Sequence, residues 1–245
     1  MAGHSKWANI QHRKGKVDAQ RGKIFTKLVR EITVSAKAGG PDPDGNPRLR
    51  AAITAAKAQS MPNDNIKRAI EKATGSGDGA NYEEMVYEGY GPSGVALMVA
   101  AVTDNKNRTT PEIRHAFSKC GGNMAESGAV SWQFTKKGYI TVDKGDRDEE
   151  QLTELLIEAG GDDFEDLGDK WGIITEPDAL HAVAGTLEEL GLPNESATFT
   201  MIPSTEITVT GDDLKRVIKL VEMLEDNDDV QNVWNNADFD ESELE

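Results

Sequence analysis

From Tyr139 onward the hydrophobic pattern switches between period two and period 3.6 in an order that few folds accept. Residues 139–142 read as a strand, 148–159 as a helix with Leu152, Leu155, Leu156 and Ala159 on one face, and 163–167 as another strand. A strand at 171–175, a helix at 178–190 (Leu180, Val183, Leu187, Leu190) and a strand at 197–202 complete the order β-α-β-β-α-β. That order predicts a split-βαβ, ferredoxin-like layer. The helix at 212–225 and strand at 230–234 are one unit too many for it, and are expected to complete a sheet begun at 82–134.

Upstream the periods are helical. Ile24, Phe25, Leu28, Val29, Ile32 and Ala36 share one face of a helix that begins at Lys23 and stops at Gly39-Gly40-Pro41. Asn46 is placed to cap a second helix with Pro47 at its first position, and Leu49, Ala52, Ile53 and Ala56 form its apolar stripe. A third runs from Asn63 to Gly75 with Ile66, Ala69, Ile70 and Ala73 inward. After a Gly75–Gly79 linker come strands at 82–88 and 95–103 and a helix opening at Thr109, with Glu112 three residues on as a capping box. Val130, Trp132 and Phe134 alternate as a further strand. The expected fold is α+β in three domains: a basic helical bundle with an N-terminal arm (1–79), a discontinuous α/β domain (80–135 plus 206–245), and an inserted acidic ferredoxin-like domain (136–205).

Charge decides where to look for function. The net charge is −16, yet residues 1–30 hold eight Lys/Arg against one acid, while residues 138–245 hold six cations against thirty acids. Salt screens exposed charges beyond about 8 Å, so the acidic half need not stop the basic end from binding a polyanion. Such asymmetry points to nucleic acid. The longest apolar run, Val95–Val102, is far short of the ~20 residues of a membrane span, and one cysteine cannot form an internal disulfide. The first sixteen residues lack a secretory pattern; their Lys/Arg richness leaves a transit peptide as an alternative.

Several motifs resemble catalytic chemistry and fail on spacing. Gly89, Gly91 and Gly94 match a dinucleotide fingerprint, but the loop runs into a β-type segment instead of the helix that would hold a pyrophosphate. Gly22-Lys23 lacks the following Ser/Thr of a phosphate loop. No Cys/His pair has zinc-ligand spacing, and Cys120 reads as a packed residue at a helix end. The acidic runs 146–150 and 226–229 read as solvated turns. No catalytic constellation, metal or cofactor is expected.

The constellation that remains is His4, Lys6, Trp7, Gln11, His12, Arg13, Lys14, Lys16, Arg21 and Lys23, extended along the first helix by Lys27 and Arg30. Cations offset phosphate charge and release counterions, and Trp7 can stack on an exposed base or anchor the arm to the bundle. A second contact loop is expected at Asn105, Lys106, Asn107 and Arg108, with Arg114.

Five segments resemble the YebC/PmpR family: Met1-Ala-Gly-His-Ser-Lys-Trp-Ala-Asn-Ile-Gln-His-Arg-Lys14, Met61-Pro-Asn-Asp-Asn-Ile66, Tyr87-Glu-Gly-Tyr-Gly-Pro92, Thr103-Asp-Asn-Lys-Asn-Arg-Thr109 and Phe117-Ser-Lys-Cys-Gly-Gly122. The resemblance implies a helical N-terminal domain and two ferredoxin-like α/β domains, and a bacterial cytoplasmic regulator of gene expression without enzymatic activity. Bacterial relatives are described as DNA-binding transcriptional regulators. The mitochondrial relative is a translational activator, and the family is implicated in helping ribosomes through proline-containing stretches. Expected partners are therefore DNA or ribosomal RNA and the ribosome, with no membrane, the protein acting as a monomer. A second reading makes the acidic ferredoxin-like domain a protein–protein adaptor surface. Ser93 departs from the family loop, which usually has glycine there.

Overall fold

The structure is a computed structural model that describes residues 21–75, 81–240 and 243. Its helical start comprises α1 (Arg21–Gly39), α2 (Pro47–Ala58) and α3 (Asn63–Thr74). Then follow β1 (Glu83–Tyr90), β2 (Ala96–Thr103), α4 (Lys106–Lys119) and β3 (Asn123–Ala125). The next stretch holds β4 (Phe134–Asp143), α5 (Glu149–Ala159), β5 (Asp163–Asp166), β6 (Lys170–Thr175), α6 (Leu180–Glu189) and β7 (Asn194–Pro203). The chain closes with β8 (Ile207–Thr208), α7 (Gly211–Glu225), β9 (Val230–Asn235) and β10 (Ala237–Asp238). This is an α+β fold, divided into one compact unit of residues up to 34, 75–135 and 202–245, and another of 35–74 and 136–201.

In the first unit the sheet order is β3-β1-β2-β9. β1 and β2 form an antiparallel hairpin, and β9 pairs antiparallel with β2, so the extra helix–strand pair does return to the first sheet. One sheet face carries Tyr87, Leu97, Val99 and Val233 into a core shared with Ile113 and Phe117 of α4 and Val217, Leu220 and Leu224 of α7. Each fully buried side chain of this kind contributes about 1.5–3 kcal/mol of transfer free energy. Gly89 is part of this packing: a Cβ there would meet the Phe117 ring at 2.7 Å and Asn123 O at 2.6 Å. The glycine spacing thus serves a strand–strand turn, Pro92–Gly94, and the close approach of α4.

Two expectations in this unit are corrected. α4 starts at Lys106, not Thr109, because Asn105 caps it by accepting from the Arg108 N–H. Thr109 is then a buried residue of the helix, its hydroxyl turned to Asp229. Val130-Ser-Trp132 is not a strand: Ser131–Gln133 form a 3-10 turn, and Trp132 stands 74% exposed. The alternation was real, but a tight turn also moves successive side chains to different sides.

In the second unit the sheet order is β5-β6-β4-β7, the arrangement that the β-α-β-β-α-β order predicts. Ile140, Val142, Trp171 and Ile173 from the sheet pack with Leu152, Leu156, Leu180, Val183 and Leu187 from α5 and α6. Asp148 and Gln151 form a capping box at the start of α5, and Gly160 ends it in the left-handed region. Here too, Asn46 caps α2: its Oδ1 accepts from Leu49 N at 3.1 Å, and its amide donates to Ser35 O and Gly40 O.

Candidate nucleic-acid interface

Of the predicted contact residues, His4, Lys6, Trp7, Gln11, His12, Arg13, Lys14 and Lys16 lie outside the described residues. Arg21 opens α1. Lys23, Lys27 and Arg30 follow at intervals of four and three, which lines them along one side of that helix. All three meet the C-terminal end of α7 or the turn that follows it, some 200 residues later. Lys23 Nζ donates to Asp226 O and pairs with Asp226 Oδ1 at 2.9 Å. Lys27 Nζ donates to Glu225 O at 2.7 Å. Arg30 Nη1 donates to Asp228 O and pairs with Asp229 Oδ1 at 2.8 Å, its guanidinium 5.8 Å from the Tyr82 ring centre.

The second predicted group converges on the same carboxylate. Arg108 Nη2 reaches Asp229 Oδ2 at 2.7 Å and Oδ1 at 3.0 Å, and also Asp104 Oδ1 at 3.1 Å. Thr109 Oγ1 donates to Asp229 Oδ2 at 2.5 Å, and the Asp229 carbonyl accepts from Val102 N at 2.7 Å. The structure therefore brings Arg30 and Arg108 together, although nearly eighty residues separate them. Lys106, Asn107 and Arg114 are exposed, and Asn105 is committed to capping.

Asp229 is 2% exposed, so the solvated turn expected at 226–229 is half right: Asp226 is in water and Asp229 is not. Sequence could not separate them, since their partners lie far away in the chain. Burial alone would raise the Asp229 pKa. Hydrogen bonds from Arg108 and Thr109 and the charges of Arg30 and Arg108 outweigh it and hold the carboxyl below its ordinary value. Lys27 shows the opposite balance: burial lowers its pKa despite the attraction of Glu225 and Asp228.

A second buried acid was missed altogether. Glu88, 4% exposed, accepts from Gly128 N on Oε1 and from Val130 N and Ser131 N on Oε2, at 2.7–2.8 Å. Burial would raise its pKa, but the three backbone donors bring it below the ordinary carboxylate value. The Ala129 carbonyl accepts from Tyr90 Oη and Trp132 Nε1, so the whole 128–132 loop is fixed. The signal was present in sequence as an acid inside a strand that otherwise turns apolar.

The arrangement is a row of cations seated on an acidic turn in an α+β scaffold. Residues 5–76 match the model of the TACO1/YebC protein N-terminal domain, and residues 82–237 that of the TACO1/YebC second and third domain. The chain belongs to the TACO1/YebC family. It is 54% identical, over all of its length and 99% of the other protein, to a probable transcriptional regulatory protein of Geobacter sulfurreducens. A probable transcriptional regulatory protein of Acidobacterium capsulatum is 56% identical over 99% of this chain and 98% of its own. The crystal structure of a conserved hypothetical protein from Aquifex aeolicus matches with a TM-score of 0.89 and 48% identity, covering 95% of this chain and 96% of that one. Among the described residues no helix is long and apolar enough to cross a membrane.

Proposed function

We propose that this regulator acts by binding nucleic acid through its basic N-terminal segment, without enzymatic chemistry, in the bacterial cytoplasm. The observation that carries the proposal is the charge layout: eight cations against one acid in residues 1–30, interleaved with Trp7 and two histidines. The names of the relatives favour DNA and transcription. The Lys/Arg/Gly arm with one aromatic favours single-stranded or folded RNA equally, and so a ribosome-associated role at proline-rich stretches. The exposed residues Lys106, Asn107, Arg108 and Arg114 form the secondary contact. The working division remains three domains, 1–79, 80–135 plus 206–245, and 136–205, in one monomer.

The test is Arg13→Glu with Lys14→Glu, measured for binding to duplex DNA and to ribosomal RNA beside a circular-dichroism control. Loss of binding with an intact fold is expected. Undiminished binding would sink the arm as the binding element. Crosslinking in growing cells with a sucrose gradient separates the targets: promoter fragments for transcription, ribosomal RNA with cosedimentation for translation.

A further inference from the structure

Glu225, Asp226, Asp228 and Asp229 crowd the C-terminal end of α7 and the turn after it, and the last turn of α7 holds no basic residue. That is the negative end of the helix dipole, where anions are disfavoured. The compensating cations come from α1 and α4, and their pairs are of two kinds. Arg30 with Asp229 is withdrawn from water, with side chains 11% and 3% exposed. Lys23 with Asp226 (45% and 72%) and Arg108 with Asp104 (44% and 42%) remain in water. Exposed pairs open at little cost, whereas buried ones do not. Arg108 makes all its carboxylate contacts through Nη2, so Asp229 keeps the guanidinium in place whether or not Asp104 holds it.

We propose that Asp104 and Asp226 are built-in competitors for a nucleic-acid backbone. Each carboxylate occupies a cation, Arg108 or Lys23, that a phosphate would otherwise take. Binding therefore exchanges carboxylate for phosphate at these two cations, and polyanions that fail to displace the acids are held more weakly. The buried pair Arg30–Asp229 keeps α1 in place during the exchange. The inference rests on the nucleic-acid reading above and adds to it a self-masked part of the surface.

The experiment uses the full chain with Asp104→Asn and Asp226→Asn, titrated against an oligouridylate RNA and a mixed-sequence DNA duplex over a salt series. A control, Glu188→Gln with Glu189→Gln, makes the same charge change at two exposed acids near the end of α6 in the second unit. The masking variant should bind roughly two- to tenfold tighter than the control. With two cations gained, its slope of log affinity against log salt should steepen by about 1.4 on the RNA and about 1.8 on the duplex. Equal affinities for variant, control and wild type, or a gain shared by the control, would overturn the masking while leaving the nucleic-acid reading standing. Binding by none of the three overturns both. Binding by the masking variant alone is the strongest support. Unchanged melting temperatures exclude unfolding as the cause, since neither acid is buried.

Discussion

The two compact units solve the same problem, charge in a folded chain, in opposite ways. The first buries carboxylates: Glu88 on three backbone N–H groups, and Asp229 on two arginines and a threonine. The second keeps its core apolar and its ion pairs at the rim, as Lys137–Asp162, Lys144–Asp166 and Lys170–Glu195. Exposed pairs are each worth about 0–1 kcal/mol and tolerate loss. A buried pair cut in half leaves an uncompensated charge and costs about 3–5 kcal/mol. The first unit is therefore the one in which single polar substitutions should be severe, and its severity should be traceable to specific donors.

The largest effect is expected for Asp229→Ala. It strands Arg30 and removes the main partner of Arg108, and should destabilise the first unit by about 3–5 kcal/mol in urea denaturation. Hydrogen exchange should show the loss in β2 and β9 before any change in β4 to β6. Loss spread evenly over both sheets would break the contrast. Glu88→Gln comes next, at about 1.5–3 kcal/mol, because an amide offers one acceptor where the carboxylate offers two. Its signature is selective: faster exchange of the Gly128, Val130 and Ser131 amides, the three that Glu88 accepts from.

Acid should reproduce a weaker form of both. The folded pKa values of Glu88 and Asp229 lie below their unfolded values, so their stabilisation is complete above about pH 4–4.5 and fades as pH falls through the depressed values. The first unit should lose exchange protection in that window in wild type, and Glu88→Gln should flatten the dependence. The smallest effects are expected at Lys170→Ala and Ser93→Gly, each under about 1 kcal/mol. Ser93 sits at φ 57°, the left-handed region that favours glycine, and its hydroxyl offsets the strain with a 2.6 Å bond to Asp213. A cost above 2 kcal/mol at Lys170 would show that the rim pairs of the second unit are not marginal.

What could be read from the chain follows from how local each signal is. Asn46 with Pro47 and the β-α-β-β-α-β order lie within short windows, and periodicity with capping chemistry was enough to place them. The return of β9 to β2 was legible because a ferredoxin-like layer has no room for it. Thr109 was misplaced as a cap because Asn105 is the better-situated acceptor, and the Thr109 hydroxyl is claimed by an acid 120 residues on. Lys27 and Arg30 belong to the cationic row by sequence, yet their hydrogen-bond acceptors lie 198 residues away. Nothing in a helical period reports such a partner, and the same holds for the burial of Asp229.

The pairing of β2 with β9 also sets a timetable. Asp229 is added 126 residues after Thr103, about 6–25 s later at ordinary translation speeds of roughly 5–20 residues per second. Until then the outer edge of β2 is an open strand, and Arg30, Arg108 and Thr109 have no Asp229 to receive them. The inserted β4–β7 unit has its whole sheet contiguous in the chain and is finished first. A nascent chain of this protein thus emerges with its acidic layer complete and its buried cation Arg30 still without Asp229, and β9, made after that layer, is the strand that closes the first sheet.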